Sequence, residues 1–261
     1  MFDRTDKGMW WDDGINAVWG CKPVSAGCAH CWSAQMTHNF QKYPELTEQI
    51  NGIIRFTGKT RLTPIEKIIK RFSRKKPTAF AIWNDLFHPN VPSDYIDNIF
   101  EVMAACPQHT FQILTKRPEL IEEKLYGVTE HNPCRSLGGG DYLPNVWLGT
   151  TVENNNHHDR IDEILQIPAA IHFGSLEPLL GNILLLDDYT RIGFDWTIIG
   201  PETGPGRREC KLEWIQSIVE QCAMAKVPCF VKALPLKNGK VISKNMDEWP
   251  PWAQVRQYPE V

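Results

Sequence analysis

Three cysteines lie close together near the beginning of the chain. Cys21, Cys28 and Cys31 fall within the eleven-residue segment CKPVSAGCAHC. Three thiolates from one loop can bind three irons of a 4Fe-4S cluster and leave the fourth iron open to a small molecule. The spacing therefore predicts an iron-sulfur centre on this loop.

Two other interpretations of these cysteines stay open. A zinc ion would need a fourth protein ligand, which His30 or His38 could supply in a Cys3His site. Alternatively, the thiols are small buried hydrophobic groups, as free cysteines often are. The other cysteines occur singly: Cys106, Cys134, Cys210, Cys222 and Cys229. We expect the packing role for most of them, and Cys210 is the exception because it ends a polar loop.

The elements that must position this loop are short apolar runs that alternate with helical patterns. This alternation predicts repeated βα units around a buried parallel sheet. Thr63 is predicted to cap a helix together with Pro64 and Glu66, and further amphipathic helices are predicted after Ser93 and around Leu212. The predicted strands cover residues 15–19, 78–83, 110–114, 146–150, 171–173, 196–199 and 229–231.

Length and composition narrow the class of protein. A chain of 261 residues with 42% hydrophobic and 23% charged residues fits a single α/β barrel and excludes disordered and fibrous classes. The formal charge of -3 excludes a global basic field, so any site for a polyanion must be local. No run approaches the roughly 20 apolar residues that span a bilayer, and the first residues lack a signal-peptide core, so we expect a cytoplasmic protein.

We predict one barrel domain over residues 1–234, with the cysteine loop at residues 20–32. An irregular extension, residues 235–261, is predicted to pack on it. In a βα barrel, the active site lies at the carboxyl ends of the strands. The polar residues that follow the predicted strands are therefore the candidate site: Asn84, Asp85, Lys116, Arg117, Thr151, Glu153, Asn154, Ser175, Glu177, Glu202, Thr203, Arg207, Arg208 and Lys232.

Several of these candidates also have a plain structural interpretation. Asn84 and Asp85 are suited to cap a helix, and Lys116 and Arg117 are suited to lie on the surface of a first helical turn. The glycines of loop 200–208 are also typical of an ordinary turn.

The cysteine loop resembles that of the radical S-adenosylmethionine (SAM) superfamily, although its six and two intervening residues differ from the usual three and two. It is similar to a phage-associated branch with Cys-x6-Cys-x2-Cys after a Trp-rich start, whose members are often described only as phage proteins or domains of unknown function. The similarity extends to Lys232 through the segments NDLFH, TKRPE, VWLG, SLEPLLG and GPETGPG.

This resemblance implies a partial (β/α) TIM-like barrel of about six parallel strands plus a terminal strand. It implies that Cys21, Cys28 and Cys31 hold a 4Fe-4S cluster whose open iron chelates SAM. A reductant protein such as flavodoxin or ferredoxin would supply the electron that cleaves SAM to methionine and a 5′-deoxyadenosyl radical. That radical would abstract a hydrogen atom from the substrate.

The candidate residues divide into three roles in that mechanism. Asp85 is suited to the methionine ammonium, Lys116 to the cofactor carboxylate and Glu153 to the ribose hydroxyls. The cofactor-binding set is Asn84, Asp85, Lys116, Thr151, Glu153, Asn154 and Ser175. The catalytic set is Glu177, Lys116 and Glu202, and the substrate-binding set is Arg117, Glu202, Thr203, Arg207, Arg208 and Lys232.

The resemblance further suggests a substrate in modified phage DNA. A radical enzyme there would convert an amino acid joined through nitrogen to the thymine methyl carbon into a carbon-linked isomer. Four tryptophans are candidates to stack on a flipped base, and a position in the buried core is the expected alternative for most of them: Trp10, Trp11, Trp32 and Trp83. Two alternatives stay open, namely a radical SAM enzyme that repairs or modifies another nucleobase or a peptide, and a non-catalytic zinc-binding module.

Overall fold

The computed structural model describes residues 5–126, 142–186, 192–204, 206–237 and 239–260. Cys134 lies outside these residues. In chain order, the strands are β1 (Asp13–Ile15), β2 (Val18–Trp19), β3 (Thr47–Ile50), β4 (Ile53–Phe56), β5 (Arg61–Leu62), β6 (Ala79–Ile82), β7 (Thr110–Thr115), β8 (Val146–Thr151), β9 (Ile171–Leu176), β10 (Trp196–Ile199), β11 (Cys229–Val231), β12 (Leu234–Leu236) and β13 (Val241–Ser243). The α-helices are α1 (Trp32–Phe40), α2 (Ile65–Phe72), α3 (Ser93–Ala104), α4 (Ile121–Tyr126), α5 (Asp159–Leu165) and α6 (Leu212–Ala225).

The central element is a seven-stranded parallel sheet in the order β1-β6-β7-β8-β9-β10-β11. The sheet curls into a half-barrel of the kind found in TIM-like α/β folds. The prediction of a parallel βα organisation is therefore confirmed. It succeeded because strands buried on both faces read as short, almost wholly apolar runs.

The predicted strand 15–19 is wrong in its extent. The chain leaves the sheet after Ile15, and β2 pairs instead with β5 in a separate antiparallel ribbon. The Asn84 side-chain amide holds this departure, because it donates to Asn16 Oδ1 at 3.0 Å and to the Val18 carbonyl oxygen at 2.7 Å.

The predicted helix cap at Thr63 is also wrong. Helix α2 begins at Ile65 without a capping side-chain hydrogen bond. The Thr63 hydroxyl instead donates to the Asn16 carbonyl oxygen at 2.6 Å and accepts from Trp19 Nε1 at 3.2 Å. This hydroxyl therefore fastens the antiparallel ribbon rather than the helix.

The core has two layers, one on each face of the sheet. On the outer face, the apolar sides of α2, α3 and α6 pack on the strands through residues such as Phe72, Phe100 and Ile215. Aromatic side chains fill the concave face: Trp10, Trp11, Trp147, Phe173, Trp196 and Phe230. These side chains are buried, and two of them, Trp10 and Trp11, also line the pocket at the end of the half-barrel.

The C-terminal segment packs against the barrel. Strands β12 and β13 form an antiparallel hairpin, and the chain then returns to the sheet, where Arg256 bridges to Phe230. The Trp196 indole N–H donates to the Gln257 carbonyl oxygen at 2.9 Å. Among the described residues, no helix is long and apolar enough to cross a membrane.

Candidate functional site

Polar residues that follow the parallel strands converge on one pocket at the carboxyl edge of the sheet. The cavity has a volume of about 240 Å³. Most of the predicted site residues line it: Cys21, Cys28, Cys31, Asn84, Asp85, Lys116, Arg117, Thr151, Ser175, Glu177, Glu202, Thr203 and Lys232. Glu153, Asn154, Arg207 and Arg208 are not among its lining residues, and their contacts give the reason.

The three thiols of the cysteine loop all face this pocket, and cations from the end of β7 lie beside two of them. Arg117 approaches Cys21 Sγ at 3.7 Å, and Lys116 Nζ approaches Cys28 Sγ at 3.9 Å. A neighbouring cation favours the thiolate form that binds metals. The position of Lys116 and Arg117 at the end of β7, which the sequence predicts, therefore places both cations beside the cysteines.

Burial is the largest influence on the pKa of each thiol, and it opposes ionisation. At Cys28, the Lys116 ammonium and hydrogen bonds with the loop outweigh burial, so the pKa is lowered. At Cys21, burial and the Asp85 carboxylate prevail and raise the pKa to about 12. Burial also raises the pKa of Cys31. Cys28 is thus the thiol whose surroundings most favour ionisation.

The arrangement differs from that of a compact mononuclear metal site. Within the described ranges, no three His, Cys, Asp or Glu side chains form a group that could hold a single metal ion. A 4Fe-4S cluster makes a different demand, because each thiolate binds its own iron. The candidate fourth zinc ligands have other partners, since His30 Nδ1 lies 3.0 Å from Glu202 and His38 Nδ1 lies 3.0 Å from Thr47 Oγ1.

The buried carboxylate of Glu153 anchors the cysteine loop. Its side chain is fully buried and accepts from Ser25 Oγ at 2.5 Å, Lys116 Nζ at 2.6 Å and Arg160 at 3.1 Å. Burial opposes ionisation, but these donors outweigh it and lower the pKa of Glu153. A Cβ added at Gly27 would collide with this carboxylate, so the loop needs glycine there. The carboxylate is therefore occupied by protein donors rather than facing the pocket.

A second clamp reaches the cysteine loop from the segment after β10. Glu202 pairs with Arg208 and with His30, and Arg208 also donates to the Ala26 carbonyl oxygen at 2.8 Å. Burial opposes ionisation, but hydrogen bonds from Arg208 and His30 bring the pKa of Glu202 down to about 2. The clamp thus ties the end of β10 to the residues between the cysteines.

Arg207 and Asn154 hold backbone outside the pocket. Arg207 donates to the carbonyl oxygens of Gly239 and Lys240, at 3.1 and 2.6 Å. Asn154 Oδ1 accepts from the backbone N–H of Asn156 at 2.9 Å and caps a short helical turn.

Asp85 fixes the guanidinium that faces Cys21. Its carboxylate accepts from Arg117 at 2.5 Å and from Thr115 Oγ1 at 2.8 Å. Arg117 also donates to the Lys22 carbonyl oxygen at 2.6 Å. Asp85 and Arg117 therefore act as a unit that holds the beginning of the cysteine loop.

Two hydroxyls on adjacent strands remain available to a ligand. Thr151 on β8 and Ser175 on β9 are register partners, and both line the pocket. Both residues are buried, yet neither hydroxyl hydrogen-bonds another described residue. These groups have the placement expected of ligand contacts.

An ion pair occupies the pocket wall formed by β9 and β11. Lys232 Nζ lies 2.8 Å from Glu177 Oε1, and Trp10 Nε1 donates to Glu177 Oε2 at 3.4 Å. A Cβ at Gly200 would come within 2.5 Å of Glu177 Oε1, so the absence of a side chain there makes room for the carboxylate.

Sequence reasoning missed Ser25, Thr115 and Arg160. Ser25 acts through Glu153 and Thr115 acts in part through Asp85, both distant in sequence, and strand-end position gives no signal for such contacts. Arg160 reaches Glu153 from the next helix. Thr115 is the one of the three that position in the chain could have indicated, because it ends the strand that directly precedes Lys116 and Arg117.

The fold and site define an α/β half-barrel protein with a pocket lined by three cysteines and by three strand-end cations, Lys116, Arg117 and Lys232. The chain belongs to the family described as Protein of unknown function (DUF5131), whose model matches residues 6–249. The match spans the cysteine loop and the whole parallel sheet. No curated protein matches the chain.

Proposed function

We propose that this protein is a radical SAM enzyme that holds a 4Fe-4S cluster on Cys21, Cys28 and Cys31. The observation that carries the proposal is that three thiols of one loop line a single pocket at the carboxyl end of a half-barrel. Two strand-end cations beside the sulfurs suit thiolate ligands. When bound, the cluster would supply the electron that cleaves SAM and begins hydrogen abstraction.

The chain's own residues hold and orient the reactants in this proposal. Lys116 directs one N–H to Glu153 and one to Cys28, and it presents the third to the cofactor carboxylate. The hydroxyls of Thr151 and Ser175 bind polar groups of SAM. Asp85 and Glu153 act indirectly, because Asp85 positions Arg117 and Glu153 positions Lys116.

As substrate we propose a thymine in phage DNA that carries an amino acid on its methyl carbon. The enzyme would convert the nitrogen-linked adduct to its carbon-linked isomer, with a reductant protein such as flavodoxin or ferredoxin as its partner in the cytoplasm. The aromatic lining of the pocket supports a planar substrate: Trp10, Trp11, Trp32 and Trp83. Another nucleobase or a peptide is the alternative substrate.

Metal analysis after anaerobic reconstitution tests the cluster assignment. We expect about four irons and four sulfides per chain in the wild type, and loss of both in Cys28→Ala. Cys106→Ala, which changes a cysteine outside the pocket, serves as the matched control and should load fully. One zinc per chain with no iron would instead support the binding module.

Mass analysis of DNA nucleosides tests the substrate. DNA that carries the nitrogen-linked adduct should yield an isomer of unchanged mass and altered retention, and only when enzyme, SAM and reductant are all present. Conversion of a peptide or an unmodified base under the same conditions would favour the alternative.

A further inference from the structure

The Glu177–Lys232 ion pair lies inside the pocket rather than on the protein surface. The two side chains are only 14% and 21% exposed, and both line the cavity. They come from the ends of β9 and β11, whereas the cations beside Cys21 and Cys28 follow β7. The ion pair therefore comes from other strands than the two cations that lie beside the cysteines.

Both members of the pair retain hydrogen-bonding capacity. A carboxylate has about four acceptor positions, and Glu177 is contacted by Lys232 and by a long 3.4 Å bond from Trp10. An ammonium has three donors, of which Lys232 directs one to Glu177. An acceptor and a donor thus lie side by side, ready for a ligand edge that offers a donor beside an acceptor.

Trp11 supplies an independent sign of a ligand. It is 7% exposed and lines the pocket, yet its indole N–H has no hydrogen-bond partner among the described residues. A buried donor without a partner is costly, so a ligand acceptor there would be favourable. Lys232 Nζ lies 5.5 Å from the centre of the Trp11 ring, which places this indole next to the ion pair.

Aromatic side chains line this part of the pocket. Trp10 packs edge to face on Trp11 with ring centres 4.6 Å apart, and Trp83 also lines the cavity. Such aromatic walls favour a planar ring. Two donors, Lys232 and Trp11, and one acceptor, Glu177, are the complement of an edge that carries one N–H and two carbonyl groups. A guanine edge presents one carbonyl and two donors and matches less well.

We infer that Glu177, Lys232 and Trp11 read the imide edge of a pyrimidine, the edge that thymine and uracil share. Glu177 accepts from the ring N3–H, and the two donors bind the flanking carbonyl oxygens. This inference rests on the proposed function for its substrate class and adds the residues that select the base.

Equilibrium dialysis of the reconstituted holoenzyme with thymidine and N3-methylthymidine tests the inference. The N3-methyl group removes the donor, so we expect the wild type to bind it at least about tenfold more weakly than thymidine. Deoxycytidine, which lacks the N3–H, should bind as weakly. Equal binding of thymidine and N3-methylthymidine, tighter binding of deoxyguanosine, or no thymidine binding at millimolar concentration would overturn the inference.

Variants separate recognition from a structural role. In Glu177→Leu, thymidine should lose affinity while N3-methylthymidine should not, so the difference between the two ligands collapses to less than about threefold. A merely structural role would weaken both ligands equally. Glu213→Gln, an exposed carboxylate on α6, is the control and should keep the wild-type ratio.

A separate assay of SAM cleavage on the same samples keeps the two claims distinguishable. Selective thymidine binding without 5′-deoxyadenosine formation would leave the edge recognition standing and contradict the radical function. Cleavage of SAM without discrimination between thymidine and N3-methylthymidine would contradict the edge recognition and leave the radical function standing.

Discussion

At the scale of single residues, Glu153 is the group on which the anchoring of the cysteine loop most depends. Its buried carboxylate serves donors from the loop, from the end of β7 and from α5. Glu153→Gln would leave Lys116 and Arg160 without their counter-charge. We expect a loss of about 3 kcal/mol in the free energy of unfolding, measured by urea denaturation, because one partner of a buried ion pair is removed.

Glu163→Gln is the matched control for this prediction. Glu163 lies on α5 in the same part of the chain, where burial and neighbouring acids raise its pKa. Removing its charge should change stability by no more than about 0.5 kcal/mol. Equal effects of the two substitutions would contradict the anchoring role of Glu153.

At the scale of elements, the segment after β10 clamps the cysteine loop through Glu202 and Arg208. The pKa of Glu202, about 2, lies below the ordinary value of 4.5, so the ionised form stabilises the fold. That stabilisation is complete above the ordinary pKa and disappears as pH falls toward 2. Wild type should therefore exceed Glu202→Gln in unfolding free energy at neutral pH.

Urea titrations from pH 7 to pH 2 check the sign of this effect. The stability difference between wild type and Glu202→Gln should shrink as pH falls from about 4.5 toward about 2, because protonation progressively removes the Glu202 charge. A difference that stays constant through this window would show that the Glu202 charge does not hold the clamp.

The predicted elements are correct where local sequence determines them and wrong where partners distant in sequence determine them. Strand β10 and helix α3 are encoded by local apolar patterns, and both were found where expected. The end of β1 at Ile15 depends on Asn84, which binds Asn16 from a distant part of the chain. The role of Thr63 depends on Asn16, which is also distant from it in sequence. A local pattern carries no information about such partners.

At the scale of the whole molecule, the aromatic interior joins the half-barrel to its N- and C-terminal segments. Trp196 is fully buried, and its ring contacts Trp10, Phe173 and Tyr258. Trp196→Ala should cost about 3 to 5 kcal/mol of unfolding free energy by urea denaturation, since a large core side chain is removed. Trp196→Phe keeps a ring in the cavity and should cost less.

Trp32→Ala is the matched control, since Trp32 is half exposed on the first turn of α1. We expect a change well below that of Trp196→Ala. A larger loss from Trp32 than from Trp196 would contradict the view that the interior aromatics hold the barrel together.

The site was predictable where chemistry follows from position in the chain. Cysteine spacing and strand-end logic identified the thiols, Lys116, Glu177 and Lys232 as residues that meet in one pocket. The same logic could not separate groups that face the cavity from groups such as Glu153 and Arg208 that hold its walls. That difference depends on side-chain direction and on partners contributed by other parts of the fold.

Formation of 5′-deoxyadenosine from SAM is the measurement that tests the central claim most directly. The reconstituted protein is reduced with dithionite under anaerobic conditions, and the products are quantified beside those of Cys28→Ala and Cys106→Ala. We expect 5′-deoxyadenosine and methionine from the wild type and from Cys106→Ala, and neither from Cys28→Ala. Intact SAM with the fully iron-loaded, reduced wild type would contradict the assignment as a radical SAM enzyme.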